Sequence, residues 1–395
     1  MRKRLFCLIL CAVMLMLCLP AANAEQTPEG AVLTAGEDGS FRVLLIADTQ
    51  DTDRPQKLML ELLEAELDAA DADLVIFLGD VIYGPDIGND IGKTAKAIYD
   101  VVEPVVERGI PFAVAFGNHD DEDGVSRAEQ LAIYRGYPGC LNEDPDIPGS
   151  GNTCLKLCAA GETEPSILLW IMDSGSYAEP EIGGYGYVTE EQNQWFRDGV
   201  AALSGEKTPV SYVFQHIPVP QVNTLIEKAP AFSKGAFCTF GNPLSDWYTQ
   251  RDDMISSGRF GEAPCPPKYD SGQFLSWKDC NVKAAFFGHD HTNDYSATVE
   301  GIDLVSTCGI GFYSYGRGDE HGARLLVLHC DRPEEYDTEM VFYRDLIGRP
   351  LNFLQAPRIG AQLRALLVKV LLVLALVIVF IVLLVRRLRK RRGKR

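Results

Sequence analysis

Apolar residues in the first third of the chain alternate between short continuous runs and helically spaced stretches. Residues 41–47 form one run, 74–78 a second and 112–116 a third. Each has the length and β-branched content of a buried strand. Between them, Leu58, Met59, Leu62, Leu63 and Leu67 recur at helical spacing within 55–70, and 93–107 reads as a second helix. This strand–helix–strand–helix–strand rhythm indicates an α/β unit with parallel strands. Further strands are predicted at 167–172, 210–215, 282–287, 302–306, 324–328 and 340–343. Thr189-Glu190-Glu191-Gln192 has the form of a capping box opening a helix through Leu203. Two stretches, 136–165 and 218–268, are rich in Pro and Gly and read as long loops of the kind that form lids or specificity elements.

The two ends differ from the middle. Residues 1–24 start basic, continue as an apolar run from Leu5 to Leu19 and end in Ala22-Asn23-Ala24, the layout of a cleaved secretory signal peptide. Residues 370–385 contain no polar side chain, and a basic block follows at 386–395. About 20 apolar residues suffice to cross a bilayer core, and a basic flank stays on the cytoplasmic side. The expected layout is therefore a signal peptide (1–24), an N-terminal segment (25–40), a globular domain (41–345), a stalk (346–363), one C-terminal transmembrane helix (364–385) and a cytoplasmic tail (386–395). This predicts a single-pass cell-membrane protein with its domain outside, anchored to the membrane through the C-terminal helix.

Charge follows the same division. The ends carry thirteen basic groups and no acidic ones, which leaves −31 on residues 25–360 against −18 overall. Such a field repels nucleic acid, so no nucleic-acid partner is expected. An anionic substrate would need local positive charge, which bound metal ions supply. Eight cysteines lie outside 1–24; in an exported domain they could form disulfides or remain free thiols.

Five short segments carry the candidate chemistry, each just past an apolar run: Asp48-Thr49-Gln50, Gly79-Asp80-Val81-Ile82-Tyr83, Gly117-Asn118-His119-Asp120, Gln215-His216 and Gly288-His289-Asp290-His291. They hold four of the six histidines of the chain. Together they offer enough carboxylate, imidazole, amide and phenol donors for two metal ions. Two adjacent metals need one bridging ligand, which a carboxylate can be and a histidine cannot; Asp80 is the natural bridge. His289 and His291, two apart on a turn, suit one imidazole for each metal. Asn118 offers a neutral amide oxygen, and His119 beside it is left to face a substrate. A two-metal site of this kind points to in-line hydrolysis of a phosphate ester.

The order D-x-x, G-D-x-x-Y, G-N-H-D, single His, G-H-x-H resembles the calcineurin-like metallophosphoesterase superfamily. The contexts of Asn118, His216 and His289 are most similar to its small single-domain purple-acid-phosphatase-like group. The resemblance spans about residues 41–328. It implies a four-layer αββα sandwich. It further implies that Asp48, Asp80, Tyr83 and His291 hold metal one, and that Asp80, Asn118, His216 and His289 hold metal two. His119 would stabilise the transition state or protonate the leaving oxygen, with Asp120 orienting it.

This chain departs from the common pattern at Gln50, where most of the superfamily has a histidine on metal one. Purple acid phosphatases also lack that histidine and use the tyrosine of the second motif. Tyr83 fills the same place here, and a phenolate is a hard donor that favours ferric iron. The expected cofactor is thus an iron-containing pair, iron with iron, manganese or zinc. The expected activity is hydrolysis of phosphate monoesters of small-molecule or cell-surface substrates. A phosphodiesterase would use the same site. A catalytically silent binding or sensor module, having lost metal one at Gln50, is the reading from another class.

Overall fold

Side chains alternate along the central strands between two different partners. In strand Ser40–Ile46 and the residue after it, Val43, Leu45 and Ala47 face one apolar layer, while Leu44 and Ile46 face another. Strand Leu74–Phe77 repeats the pattern, with Ile76 in the first layer and Val75 and Phe77 in the second. A strand buried on both faces must be covered on both. In this computed structural model, which describes residues 30–122, 124–239, 242–351 and 369–382, the covering layers are a second sheet on one side and helices on the other.

The five-stranded sheet runs Tyr336–Phe342, Gly322–His329, Ser40–Ile46, Leu74–Phe77, Phe112–Val114. Its last three strands are parallel, and the two strands from the C-terminal part of the domain join antiparallel. The eight-stranded sheet runs Val32–Thr34, Thr153–Cys158, Ile167–Ile171, Val210–Gln215, Val282–Phe287, Ile302–Ser306, Ser296–Val299, Ile255–Ser257. Its middle, from Ile167–Ile171 to Ile302–Ser306, is parallel. Between the sheets lies a dry layer including Val43, Leu45, Ile76, Leu169, Phe214 and Phe286. Helices Lys57–Ala70, Ile91–Glu107 and Arg127–Tyr134 cover the outer face of the first sheet, and Glu190–Leu203 and Gln273–Asp279 that of the second. The result is the αββα order that the resemblance implies.

Local sequence accounts for three of the helix starts. Asp90 caps Ile91–Glu107 by accepting from the N–H groups of Gly92 and Lys93. Thr189 and Gln192 form the expected capping box, and Ser126 with Glu129 forms another that opens a helix absent from the sequence expectation. The two stretches expected as loops also hold structure. Thr153–Cys158 is an inner strand, and a small three-stranded sheet (Ile226–Lys228, Trp247–Gln250, Phe237–Cys238) occupies much of 218–268. The eight cysteines from Cys140 to Cys330 are free thiols.

The C-terminal transmembrane helix is overturned. Among the described residues no helix is long and apolar enough to cross a membrane. Of the expected segment 364–385, residues 369–382 are described and helical, and the rest lies outside the described residues. The expected single-pass membrane location falls with it. The expected signal peptide at 1–24, most of the stalk at 346–363 and the tail at 386–395 lie outside the described residues.

Candidate metal centre

Where the central strands end, the chain turns sharply and the turns meet. Asp48 follows Ser40–Ile46, Asp80 follows Leu74–Phe77, and Asn118 follows Phe112–Val114, all from the five-stranded sheet. His216 follows Val210–Gln215 and His289 follows Val282–Phe287, from the eight-stranded one. Turning this tightly costs backbone freedom. Asp48, Gln50, Asp80 and His289 hold φ of 53°, 42°, 49° and 71°, a left-handed region that non-glycine residues avoid. Strain of about 1–3 kcal/mol per residue gathers at functional sites, where the surrounding structure holds it. Gly117 is required by contact: a Cβ there would lie 2.2 Å from Asp80 Oδ1 and 2.3 Å from Asp80 N.

The donor atoms meet at short range. Asp80 Oδ2 is 3.2 Å from His216 Nε2, which is 3.2 Å from His289 Nδ1. Asp48 Oδ1 is 3.5 Å from His291 Nε2. Donors that share one cation at about 2.0–2.2 Å sit about 3.0–3.5 Å from each other. Two groups therefore suit a metal each, Asp48–Asp80–His291 and Asp80–His216–His289, with Asp80 common to both. The far nitrogens of two histidines are anchored: His216 Nδ1 lies 2.7 Å from Leu78 O and His291 Nδ1 lies 3.0 Å from Tyr315 O. Such anchoring turns the other ring nitrogen toward the centre.

Buried polar atoms without a hydrogen-bond partner are rare, and each costs about 1–3 kcal/mol. Asp48 Oδ1, Gln50 Oε1, Asn118 Oδ1 and His289 Nε2 are all in that state. Their residues are 6% exposed or less. The oxygens among them lie in the turns that bring the two carboxylates together and fit a pair of cations, while His289 turns Nδ1 toward His216.

Burial and mutual charge set the titration of these groups. Burial raises the Asp48 carboxyl well above the usual range. Burial acts the same way on Asp80, yet the imidazoles of His216 and His119 outweigh it and hold that carboxyl low. Against burial, Asp80 in turn pushes His216 up to about 9. Burial lowers His291 to about 4, so it stands as a neutral imidazole, the form that binds metal.

The remaining predicted residues fall into place differently. His119 lines the open side, its side chain 26% exposed, with Nδ1 against the Glu122 carboxylate. Tyr177 donates to the same carboxylate at 2.6 Å, and Asn118 Nδ2 donates to the Tyr177 hydroxyl at 3.3 Å. Asp120 was expected to orient His119. Instead it accepts the N–H groups of Gly117 (2.7 Å), Asp80 (3.0 Å) and Ile82 (3.1 Å), which ties the second and third motifs together. Tyr83 places its ring 5.2 Å from that of His119 and 5.7 Å from that of Tyr313.

Several contributors escaped sequence reasoning. Arg127 donates to Gly117 O at 2.7 Å and pairs with Asp173, holding the Asn118 loop from below. Tyr315 stacks on His291 at 4.3 Å and donates to buried Glu262, while Tyr185 meets His289 edge-on at 4.3 Å. Glu122 lies three residues past His119, a spacing that could have marked it. His321 and Arg324 are buried and bonded to backbone carbonyls.

Comparison with known proteins gives the family. The family model described as calcineurin-like phosphoesterase matches residues 41–293. The chain is 26% identical over 361 residues to "Probable inactive purple acid phosphatase 29" of Arabidopsis thaliana, covering 84% of this chain and 88% of that protein. It is 29% identical over 240 residues to "Phosphatase DCR2" of Saccharomyces cerevisiae, covering 58% of this chain and 37% of that one. A dimetal phosphatase from Danio rerio is a structural neighbour at TM-score 0.46 and 16% identity, covering 77% of this chain and 99% of the other. With more than half of its length matched by that model, the chain belongs to the calcineurin-like phosphoesterase family.

Proposed function

We propose that this chain is an active phosphoesterase that hydrolyses phosphate monoesters. Asp48, Asp80, Tyr83 and His291 would hold metal one, and Asp80, Asn118, His216 and His289 metal two. The observation that carries the reading is the pair of donor groups that share Asp80, together with the buried, unpartnered oxygens of Asp48 and Asn118. Bound there, two metals supply a nucleophile from water at neutral pH and charge to steady the phosphate oxygens. The chain's own residues supply the rest. Gly117 and Asp120 fix the loop that carries His119, and His119 stands on the open side within reach of a departing ester oxygen. Glu122, steadied by Tyr177, holds the His119 ring by its Nδ1, leaving Nε2 to deliver a proton. Tyr83 would add a hard phenol oxygen and bias metal one toward iron, with iron, manganese or zinc beside it.

A silent binding module is the competing reading, favoured by the word inactive in the name of the Arabidopsis relative. One experiment separates the two. The purified full chain is analysed for metal content and absorption, then assayed with p-nitrophenyl phosphate and its bis ester before and after chelation. We expect two metals per chain, a visible band that Tyr83→Phe bleaches, and monoester turnover that chelation abolishes and iron, manganese or zinc restores. A chain with no turnover under any of these metals is the silent module; faster turnover of the bis ester makes it a diesterase.

A further inference from the structure

Residues 259–265, from the second stretch expected as a loop, run along the turn that carries His289 and His291. Cys265 N donates to Asp290 Oδ1 at 3.0 Å, and Arg259 N donates to Asp294 Oδ1 at 2.9 Å. Gly261 N and Glu262 N donate to Asn293 Oδ1 at 2.9 and 3.1 Å. The approach is close enough to require a glycine at 261, where a Cβ would lie 2.4 Å from Thr292 O. His291 is thus held on both flanks by one strip of backbone. The Glu262 side chain, 1% exposed, reaches further. Its Oε1 accepts the N–H and the hydroxyl of Thr292, each at 3.1 Å, and its Oε2 accepts the Tyr315 hydroxyl at 2.9 Å. Tyr315 in turn lies flat on the His291 ring, with centroids 4.3 Å and planes 7° apart, and its carbonyl has His291 Nδ1 at 3.0 Å.

We propose that Glu262 is a positioning residue for His291, and through it for metal one. This inference rests on the two-metal reading above. One carboxyl group fixes the residue after His291 through its backbone and the plate over the His291 ring through the tyrosine hydroxyl. The direction and the height of that ring are then set together, which is how groups behind a ligand hold it for its metal. Burying a carboxyl group is costly unless donors meet it, and here donors meet both of its oxygens. His216 takes its anchor from Leu78 O instead, so the effect of Glu262 belongs to metal one. The segment that supplies Glu262 carries no metal donor of its own, and its work is to clasp the turn that does.

The test is metal binding by full-length wild type, Glu262→Gln, Tyr315→Phe and the double variant, each stripped and titrated with Mn2+. Stoichiometry comes from elemental analysis and site pairing from electron paramagnetic resonance. Wild type should bind two ions and show a spin-coupled pair. Glu262→Gln keeps the size of the side chain but accepts through one oxygen only. It should bind one ion as wild type does and the other about 10–100-fold more weakly, with the coupled signal giving way to that of a single ion. Tyr315→Phe keeps the stacked ring, loses the hydroxyl and should weaken the same ion. The double variant should lose less than the sum of the two single losses, because both act through one contact. Should Glu262→Gln fail to fold by circular dichroism, Tyr315→Phe decides by the same measurement. A Glu262→Gln protein that binds both ions with wild-type affinity overturns the proposal, even if it unfolds more easily in urea. One that weakens both ions alike also overturns it, since Glu262 would then only support the fold. Wild type that binds no metal overturns the two-metal reading and this role with it.

Discussion

His119 and Asp120 are adjacent and were expected to act as a pair, yet the structure assigns them to different tasks. Asp120 is fully buried and spends both oxygens on backbone N–H groups. His119 faces the open side and takes Glu122 as its partner. Two substitutions test the task of His119 and its partner. His119→Ala should retain both metals and lower kcat by about 10²–10⁴. Glu122→Gln keeps the contact but removes the charge, and should lower kcat by about tenfold. That loss should be larger for alkyl phosphates, whose leaving oxygen needs a proton, than for p-nitrophenyl phosphate. A Glu122→Gln protein with equal losses on both substrates would show that the carboxylate only supports the loop.

At the scale of elements, strands that end in donors were the legible part. Runs such as 74–78 and 284–287 are continuous and apolar because both faces are covered, and the donors follow at once in the turn. The site was readable for that reason, since its residues lie next to the strongest strand signals. Thr153–Cys158 was not readable: Lys156 interrupts it, and the Pro- and Gly-rich residues before it dominate the local pattern. Helix Arg127–Tyr134 was missed because it is only two turns long, and helix Gln273–Asp279 because it lacks a side-chain cap. Asp120 was misjudged because backbone partners 40 residues away, such as Asp80 N, leave no trace in local sequence. Helix Lys57–Ala70 carries a testable anomaly of its own. Glu66 sits on its buried face, accepts from Ala323 N at 3.2 Å, and is pushed by burial up to about 8 from an ordinary 4.5. Its stabilising contribution is full below about pH 4.5, where both states are protonated. It is lost as pH rises to about 8, because the unfolded chain ionises first, at about 1.4 kcal/mol for each unit of separation. Glu66→Gln should remove this slope. Urea unfolding should show the variant more stable than wild type by a few kcal/mol at pH 8 and little changed at pH 4.5. Equal slopes in the two proteins would mean that Glu66 is ionised in the fold.

For the whole molecule, the metal centre is also a joint. Each donor group draws on both sheets: Asp48 and Asp80 come from the five-stranded sheet, and His216, His289 and His291 from the eight-stranded one. Elsewhere the sheets are held by the apolar layer between them. That layer persists without metal, so stripped protein should stay folded. It should still be less stable, because ions bind the assembled turns and not the unfolded chain. At a free concentration 100 times Kd, one ion contributes about 2.7 kcal/mol. For a domain of this size each kcal/mol is worth about 2–4 °C. Chelation removes both ions and should therefore lower the Tm by roughly 10–20 °C, and excess Mn2+ should restore it. The variant that removes the shared carboxylate, Asp80→Ala, isolates the cause. Lacking the bridge, it should unfold at one temperature with or without chelator, close to that of stripped wild type. A wild-type Tm indifferent to chelation, in protein shown to have held two metals, would mean that the sheets meet through their apolar layer alone and that the ions add nothing to the joint.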